Sequence, residues 1–454
     1  MDLFIVFKSI IKAGPTVLLP IVIFLFAVCF RLSIGKAIQS ALTVGAAFAG
    51  LKLVIEFLAK SLGPATKAMV THMGVQLNVI DMGFATVAAI GWSSPIVPLM
   101  VLALLGTNIA LLLLNKTNTL TVDIWNYHHA LTVGTFVYFE TDNVTVAVAA
   151  AACTGMFVYK MADWASPLVS KYYKLPGVTI PAIHALMNLP IAVPINWLFD
   201  RIPGFNKIDF NMETLRKYFG VFGQPLMIGL ILGVGIGFLS GYDPYQAFGL
   251  GINMAAAMML LPKMTHLFVE GLKPISEQAR KVTDKKFKGR KILIGLDPAV
   301  LLGDAAVITT ALLMVPILLG LAVIIPGNKL LPFADLAALP YKVAMVVALT
   351  NGNIFRSLIL CTIAFIPYFY LGTWTAPMVT AAATAVGLGD SIPAGMMISS
   401  LTGTTMPITF IIYKVFVGNL MITVPILLGV FFAIWFFMEK KVMPKVELRD
   451  SISG

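Results

Sequence analysis

Apolar runs long enough to cross a lipid bilayer follow one another along nearly the whole of this chain, and they decide its class. Crossing a roughly 30 Å hydrocarbon core takes about 17 to 25 residues of helix, and no soluble core could absorb so many runs of that length. The 454 residues are 59% hydrophobic and 12% charged, against about 25% charged in ordinary soluble domains. The formal net charge of +11 therefore reads as a loop bias toward the cytoplasm, with no nucleic-acid partner. The expected fold class is an all-α polytopic membrane protein.

The same composition excludes several chemistries. Cys29, Cys153 and Cys361 lie in apolar runs without paired spacing, which argues against a disulfide framework, a CxxC metal site or an exposed reactive thiol. No HExxH, Walker A or GxGxxG-plus-acid element is present, so the expectation is no metal and no cofactor. Lys8 and Lys12 precede an apolar run with no small-residue cleavage site after it, which reads as a retained anchor.

Taken in order, 2–12 suits an interfacial helix, 15–30 is a first span and 37–58 a second. Lys52 and Glu56, four apart, are expected to neutralise one another facing the protein interior, with snorkelling of Lys52 as the alternative. The stretch 63–78 is too polar to span and should lie along a surface. The run 79–114, interrupted by Gly83, Gly91, Pro95 and Pro98, is too long for one straight crossing and should be broken. Spans at 122–139 and 144–159 follow, then a proline-rich re-entrant hairpin at 176–198 and an amphipathic connector at 200–220.

The second half repeats the first. An offset of 210 residues aligns Pro15 with Pro225, Ala37 with Ala247 and Pro64 with Pro274, and an offset of 216 puts Asp81 on Asp297. The expected organisation is a first repeat at 1–200, a cytoplasmic linker at 201–221, a second repeat at 222–412 with its hairpin at 378–410, and a last span and tail at 413–454. Five spans per half invert one repeat against the other, and about eleven spans result, as in transporter folds. With the N-terminus outside and the C-terminus cytoplasmic, 24 of the 32 Lys and Arg residues fall inside, seven outside and Lys52 in the membrane, a positive-inside pattern. The basic 263–291 loop is a docking surface for an acidic or phosphorylated partner, or a topology signal alone.

Two carboxylates, Asp297 and Asp304, stand inside an apolar run that continues to Ile325. A carboxylate at mid-bilayer costs at least about 2.5 kcal/mol, so such groups usually face a cavity. They are seven apart, within about 20° of one helix face. Asp297 could instead cap a helix that starts at Pro298, and Asp304 is read as facing a cavity. Trp125, His128 and His129 open the fourth span after Asp123, an N-cap candidate, and His184 sits in the first hairpin. Asn351 ends the ninth span, and Trp92 lies in the broken segment. Carboxylate, amide, imidazole and indole groups suit a neutral polyhydroxylated molecule, which needs many acceptors and an apolar face. The expected ring is His128 or His129, Trp125, His184, Asp297, Asp304 and Asn351, with Asp81 and Trp92 beside it and Asp297 accepting a proton from, or orienting, a substrate hydroxyl.

The runs GPTVLLPIVIF (14–24), LGPATKAM (62–69), VDIWNYHHALTVG (122–134), FVYKMADW (157–164), FGQPLMIG (222–229), GLDPAVLLG (295–303), IPGNKLLPFADLA (325–337) and GNIFRSL (352–358) resemble the galactitol-type enzyme IIC permeases of the bacterial phosphotransferase system. The resemblance covers nearly the whole chain, in order. It implies the ascorbate–galactitol superfamily: a homodimer of protomers, each with a scaffold domain (spans one, two, six and seven) and a mobile core domain, moving substrate by an elevator-like shift. It also implies a bacterial inner-membrane location and phosphorylation of the sugar by a separate IIB, supplied by IIA and the general phosphocarriers. Asp304 stands where a histidine is expected in that family, and Ala182-Ile183-His184-Ala185 replaces a hairpin tip richer in hydroxyls and glycine. A pentitol, another hexitol or a sugar therefore stands beside galactitol as substrate. Two other classes remain open: an ion-coupled secondary transporter using Asp297, Asp304 or Glu140, and an intramembrane enzyme using the Asp297/Asp304 pair.

Overall fold

The structure, a computed structural model, describes residues 20–439 except 22, 26, 29–30, 73, 75–76, 122–123, 206–207, 287–291, 333, 386–391, 393–394 and 419; at some helical positions only the backbone is described. Two long helices carry the first packing group. They are α1 (Ile34–His72) and, after the elements of the first half, α10 (Pro244–Lys286). Their starts are 210 residues apart, the offset read from the sequence, and each contains its proline, Pro64 and Pro274. Both run on through the stretch expected to lie separately along a surface. Helix needs only internal backbone bonds, so a polar continuation stays helical where its side chains reach the surface. For the same reason 263–286 is helix, not the expected loop.

α9 (Pro225–Leu239) packs on α10, and α10 on α1. The α9–α10 seam is built from small residues: a Cβ at Gly229 would stand 2.9 Å from Ala255 Cα, one at Gly233 2.6 Å from Gly251 Cα, and one at Gly237 2.6 Å from Ala247 Cα. Between membrane helices, where no water is expelled, such close approach is the main source of attraction. Lys52 and Glu56 do pair, at 3.8 Å, but on the outer surface with side chains 53% and 49% exposed. The expected interior position is not where α1 puts them.

The second packing group holds the remaining elements. The first half contributes β1 (Val79–Asp81), α2 (Gly83–Ser93), α3 (Val97–Leu113), β2 (Thr119–Thr121), α4 (His128–Thr141), α5 (Val144–Lys171), β3 (Val178–Thr179), α6 (Ile183–Leu186) and α7 (Leu189–Phe199). α8 (Met212–Phe219) forms part of the connector. The second half contributes β4 (Leu293–Gly295), α11 (Ala305–Ile324), β5 (Leu330–Leu331), α12 (Leu339–Leu349), α13 (Ile354–Ala385), β6 (Met397–Ser399), α14 (Pro407–Val417) and α15 (Leu420–Phe437). α2 and α3 meet at 97°, so the 79–114 run is broken as its glycines and prolines dictate. α13 reaches Ala385, which shortens the second hairpin from the expected start at 378.

Six strands of two or three residues form two parallel sheets, in the orders β5-β1-β6 and β2-β4-β3. Each central strand comes from one half of the chain and both of its neighbours from the other. The strands satisfy backbone groups where helices break inside an apolar interior. They also bring the chain that follows each strand to one end of its sheet, which is how the site residues meet.

Among the described residues four helices are long and apolar enough to cross a membrane by themselves, and the bent α2–α3 pair would make five. The expected eleven are not all of that length, because breaks shorten several. α9, α14, the 183–199 stretch and 423–437 are apolar but shorter.

Candidate functional site

The β2-β4-β3 sheet delivers three chain segments to one place. After β4, Asp297 turns the chain into a short 3-10 helix, Pro298–Leu301, with its Oδ1 accepting from Ala299 N at 2.7 Å. Pro298 fits there because the first helical residue has no use for its N–H. One carboxylate oxygen is thus committed to the backbone. The other, Oδ2, faces Asn126 Nδ2 at 3.5 Å, the outer limit of a hydrogen bond.

β2 leads through the turn Ile124–Tyr127 into α4, whose first residues are His128 and His129; β3 leads to His184 at the start of α6. Ligands of parallel sheets sit at such carboxyl-terminal strand ends. His129 Nε2 and His184 Nδ1 hydrogen-bond directly, 55 residues apart in sequence. Ring centroids are 3.8 Å apart for His128–His129 and 4.7 Å for His129–His184, and Tyr341 stands edge-on to His184 at 5.3 Å. His128 and His129 are 2% and 0% exposed. His129 Nδ1 and Thr121 Oγ1 are buried without a hydrogen-bond partner among the described residues. A buried donor or acceptor left so costs about 1–3 kcal/mol, a cost that a polar ligand would remove.

The β5-β1-β6 sheet ends differently. Asp81 spends Oδ1 on Gly83 N at 2.9 Å and Oδ2 on Asp335 N at 2.8 Å, and it is fully buried. Gly83, at φ +79°, makes that turn against Ala334, leaving no room for a Cβ. The Asp335 carboxylate accepts from Phe84 N, Leu401 N, Ser400 Oγ and Thr402 Oγ1, and Lys342 Nζ lies 3.3 Å from its Oδ2. Sequence reasoning placed Lys342 among the seven outside basic residues; it is 2% exposed.

Of the expected ring, the structure brings together His128, His129, His184 and, through Asn126, Asp297. Asp304 is elsewhere: its Oδ1 caps α11 through Ala306 N (2.9 Å) and Val307 N (3.1 Å), and it accepts from the Tyr172 hydroxyl. A Cβ at Gly352 would lie 2.8 Å from that hydroxyl, so Asp304 groups with the turn at Asn351-Gly352. That turn is at the far end of α12 from Tyr341, about 15 Å along the helix. Asn351 is exposed, at φ +54°, and joins no ring. Asp81 belongs to the other sheet end. Trp92 lies at the end of α2, where Gly91 packs on Thr132 of α4, and Phe84 of α2 reaches His128 at 6.3 Å. Only the backbone of Trp125 is described, in the turn before α4, and Asp123 lies outside the described residues. Asn126, Tyr341 and Lys342 are the site neighbours that sequence reasoning missed.

The three histidines offer nitrogens within 4.8 Å of one another, a geometry that could hold a metal ion. No motif announced it, since His184 comes from a different strand end. The same nitrogens are donors and acceptors for hydroxyls. Imidazole, carboxylate, amide and phenol groups brought this close together can bind and orient a hydroxylated molecule.

Comparison with known proteins bears on what that molecule is. A family model described as "PTS system sugar-specific permease component" matches residues 9–391. The "PTS system galactitol-specific EIIC component" of Escherichia coli (strain K12) is 36% identical over 411 residues, covering 90% of each chain. The protein of the same description from Escherichia coli O157:H7 matches to the same extent. A match of that length, over sheets, hairpins and helices alike, leaves one conclusion: the chain belongs to the family of sugar-specific permease components of the phosphotransferase system.

Proposed function

We propose that this integral inner-membrane protein binds galactitol or a closely related polyol and carries it inward for phosphorylation by a separate IIB. The observation that carries the reading is the convergence of His128, His129, His184 and Asn126 with Asp297 at one strand end. It gives a neutral polyol several hydrogen-bond partners and one carboxylate. The relatives' galactitol specificity supports that choice of substrate. Asp297 Oδ2, which among the described residues has only a 3.5 Å contact from Asn126, is the oxygen that would orient a hydroxyl and take its proton during attack on phosphorus.

The finer architecture belongs to the same proposal. Two inverted-topology repeats at 1–200 and 222–412, joined by the 201–221 linker and followed by 413–454, form a scaffold and a moving core. The recurring element order and the exchanged strands support this. The separate packing of α1, α9 and α10 supports an elevator-like shift of the other elements. A homodimer, an external N-terminus, a cytoplasmic C-terminus and IIB docking on the basic side complete the reading.

Calorimetry on the purified protein tests the site. A lost charge-assisted hydrogen bond costs about 1.5–3 kcal/mol, so Asp297→Asn should bind galactitol roughly ten- to a hundredfold more weakly. His184→Ala should do likewise. Wild-type affinity in both variants would place the substrate elsewhere.

A further inference from the structure

At the end of the β5-β1-β6 sheet the chain builds an oxygen cage and fills it with its own side chain. Lys342 Nζ donates to Leu401 O at 2.6 Å and Thr402 Oγ1 at 2.8 Å, and Asp335 Oδ2 is 3.3 Å away. An ammonium has three protons, and it meets three oxygens here. Lys342, Thr402 and Asp335 are 2%, 2% and 0% exposed. A backbone carbonyl outside regular structure, a hydroxyl and a carboxylate are the ligands with which broken-helix transporters hold a small monovalent cation. The cage draws its walls from separate pieces of chain: Asp335 precedes α12, and Leu401 and Thr402 follow β6. Asp335 ties in the first half as well, through Phe84 N and Asp81. The β2-β4-β3 sheet end has histidines and Asn126 near the corresponding place, so a fixed cation is not demanded by the sheet itself.

We propose that Lys342 is a tethered cation occupying a monovalent-cation site, a positioning residue that holds the 400–402 segment and Asp335 in register without any ion from solution. The oxygens are therefore occupied from within the chain, and a neutral substrate moves without an ion from solution held in this cage. Without the ammonium, the same oxygens would take up a free sodium or methylammonium ion. The inference concerns the cage and does not depend on galactitol being the substrate.

The test is the thermal unfolding of the full-length Lys342→Ala protein in detergent, in sodium, methylammonium or choline chloride at equal ionic strength. Choline carries three methyl groups on its nitrogen and has no N–H to donate to the cage oxygens. The variant should melt below wild type in choline and be raised, saturably, by methylammonium or sodium, while wild type is the same in all three salts. Adding Asp335→Asn to Lys342→Ala should remove the response. The proposal is overturned if the single variant equals wild type in choline, or if no small cation raises it. It is equally overturned if the single variant fails to fold with methylammonium present throughout while the double variant folds.

Discussion

An aspartate at the start of a helix accepts from N–H groups that the helix leaves without partners, and both Asp297 and Asp304 do this. Their difference is in what remains. Asp297 keeps an oxygen near the histidines, whereas Asp304 is held by α11 and the Tyr172 hydroxyl at the other end of α12. Asparagine caps about as well as aspartate. Asp304→Asn should therefore leave polyol affinity and melting temperature nearly unchanged, and Asp304→Ala should lower stability by about 1 kcal/mol with affinity intact. A tenfold loss of affinity in Asp304→Asn, measured by calorimetry, would put that residue back in the site. The sequence made both aspartates visible, because charges in apolar runs are conspicuous. It could not rank them, since ranking depends on which end of α12 each one reaches. Lys342 was hidden for the opposite reason: a lysine near the end of an apolar run reads as a loop residue unless its buried acceptors are known.

The small-residue seam between α9 and α10 is the element-scale feature with the plainest consequence. Gly233 has Gly251 Cα where a Cβ would go, while Gly235, two residues on, has nothing within 4 Å. Gly233→Val should push the helices apart and lower the melting temperature by several degrees, whereas Gly235→Val should be silent. Equal melting curves for the two variants would mean that the seam contributes nothing to packing. The starts of α1 and α10 and their prolines keep the offset of 210 residues that the sequence shows. The break near Pro95 was legible as well, and it became a 97° bend. The exchanged strands were not. A period of two needs at least four residues to show, and strands of two or three residues carry no pattern of their own. The extension of α1 past Pro64 was also unreadable from hydropathy, which reports what a helix can bury and not where it stops.

At the scale of the whole molecule, the question is where the energy for accumulation enters. The sequence carries no Walker A run, and of the cysteines described, Cys361 is buried and Cys153 half-buried in α5. With Lys342 in the cage, the Asp335 carboxylate is already engaged by the ammonium and by Leu401 N. Asp297 is then the remaining carboxylate beside the histidines, and its Oδ1 is fixed to the backbone. The family match points to chemical modification of the sugar by a phosphorylated partner as the source of accumulation. Vesicles containing this protein alone should exchange labelled galactitol across the bilayer without concentrating it. Phosphorylated IIB on the cytoplasmic side should convert exchange into one-way entry, and the label should be recovered as sugar phosphate. A protonophore should leave that entry rate unchanged. Concentration of unmodified galactitol by the chain alone, abolished by the protonophore, would show that a proton gradient drives it and that the carboxylates here titrate during transport.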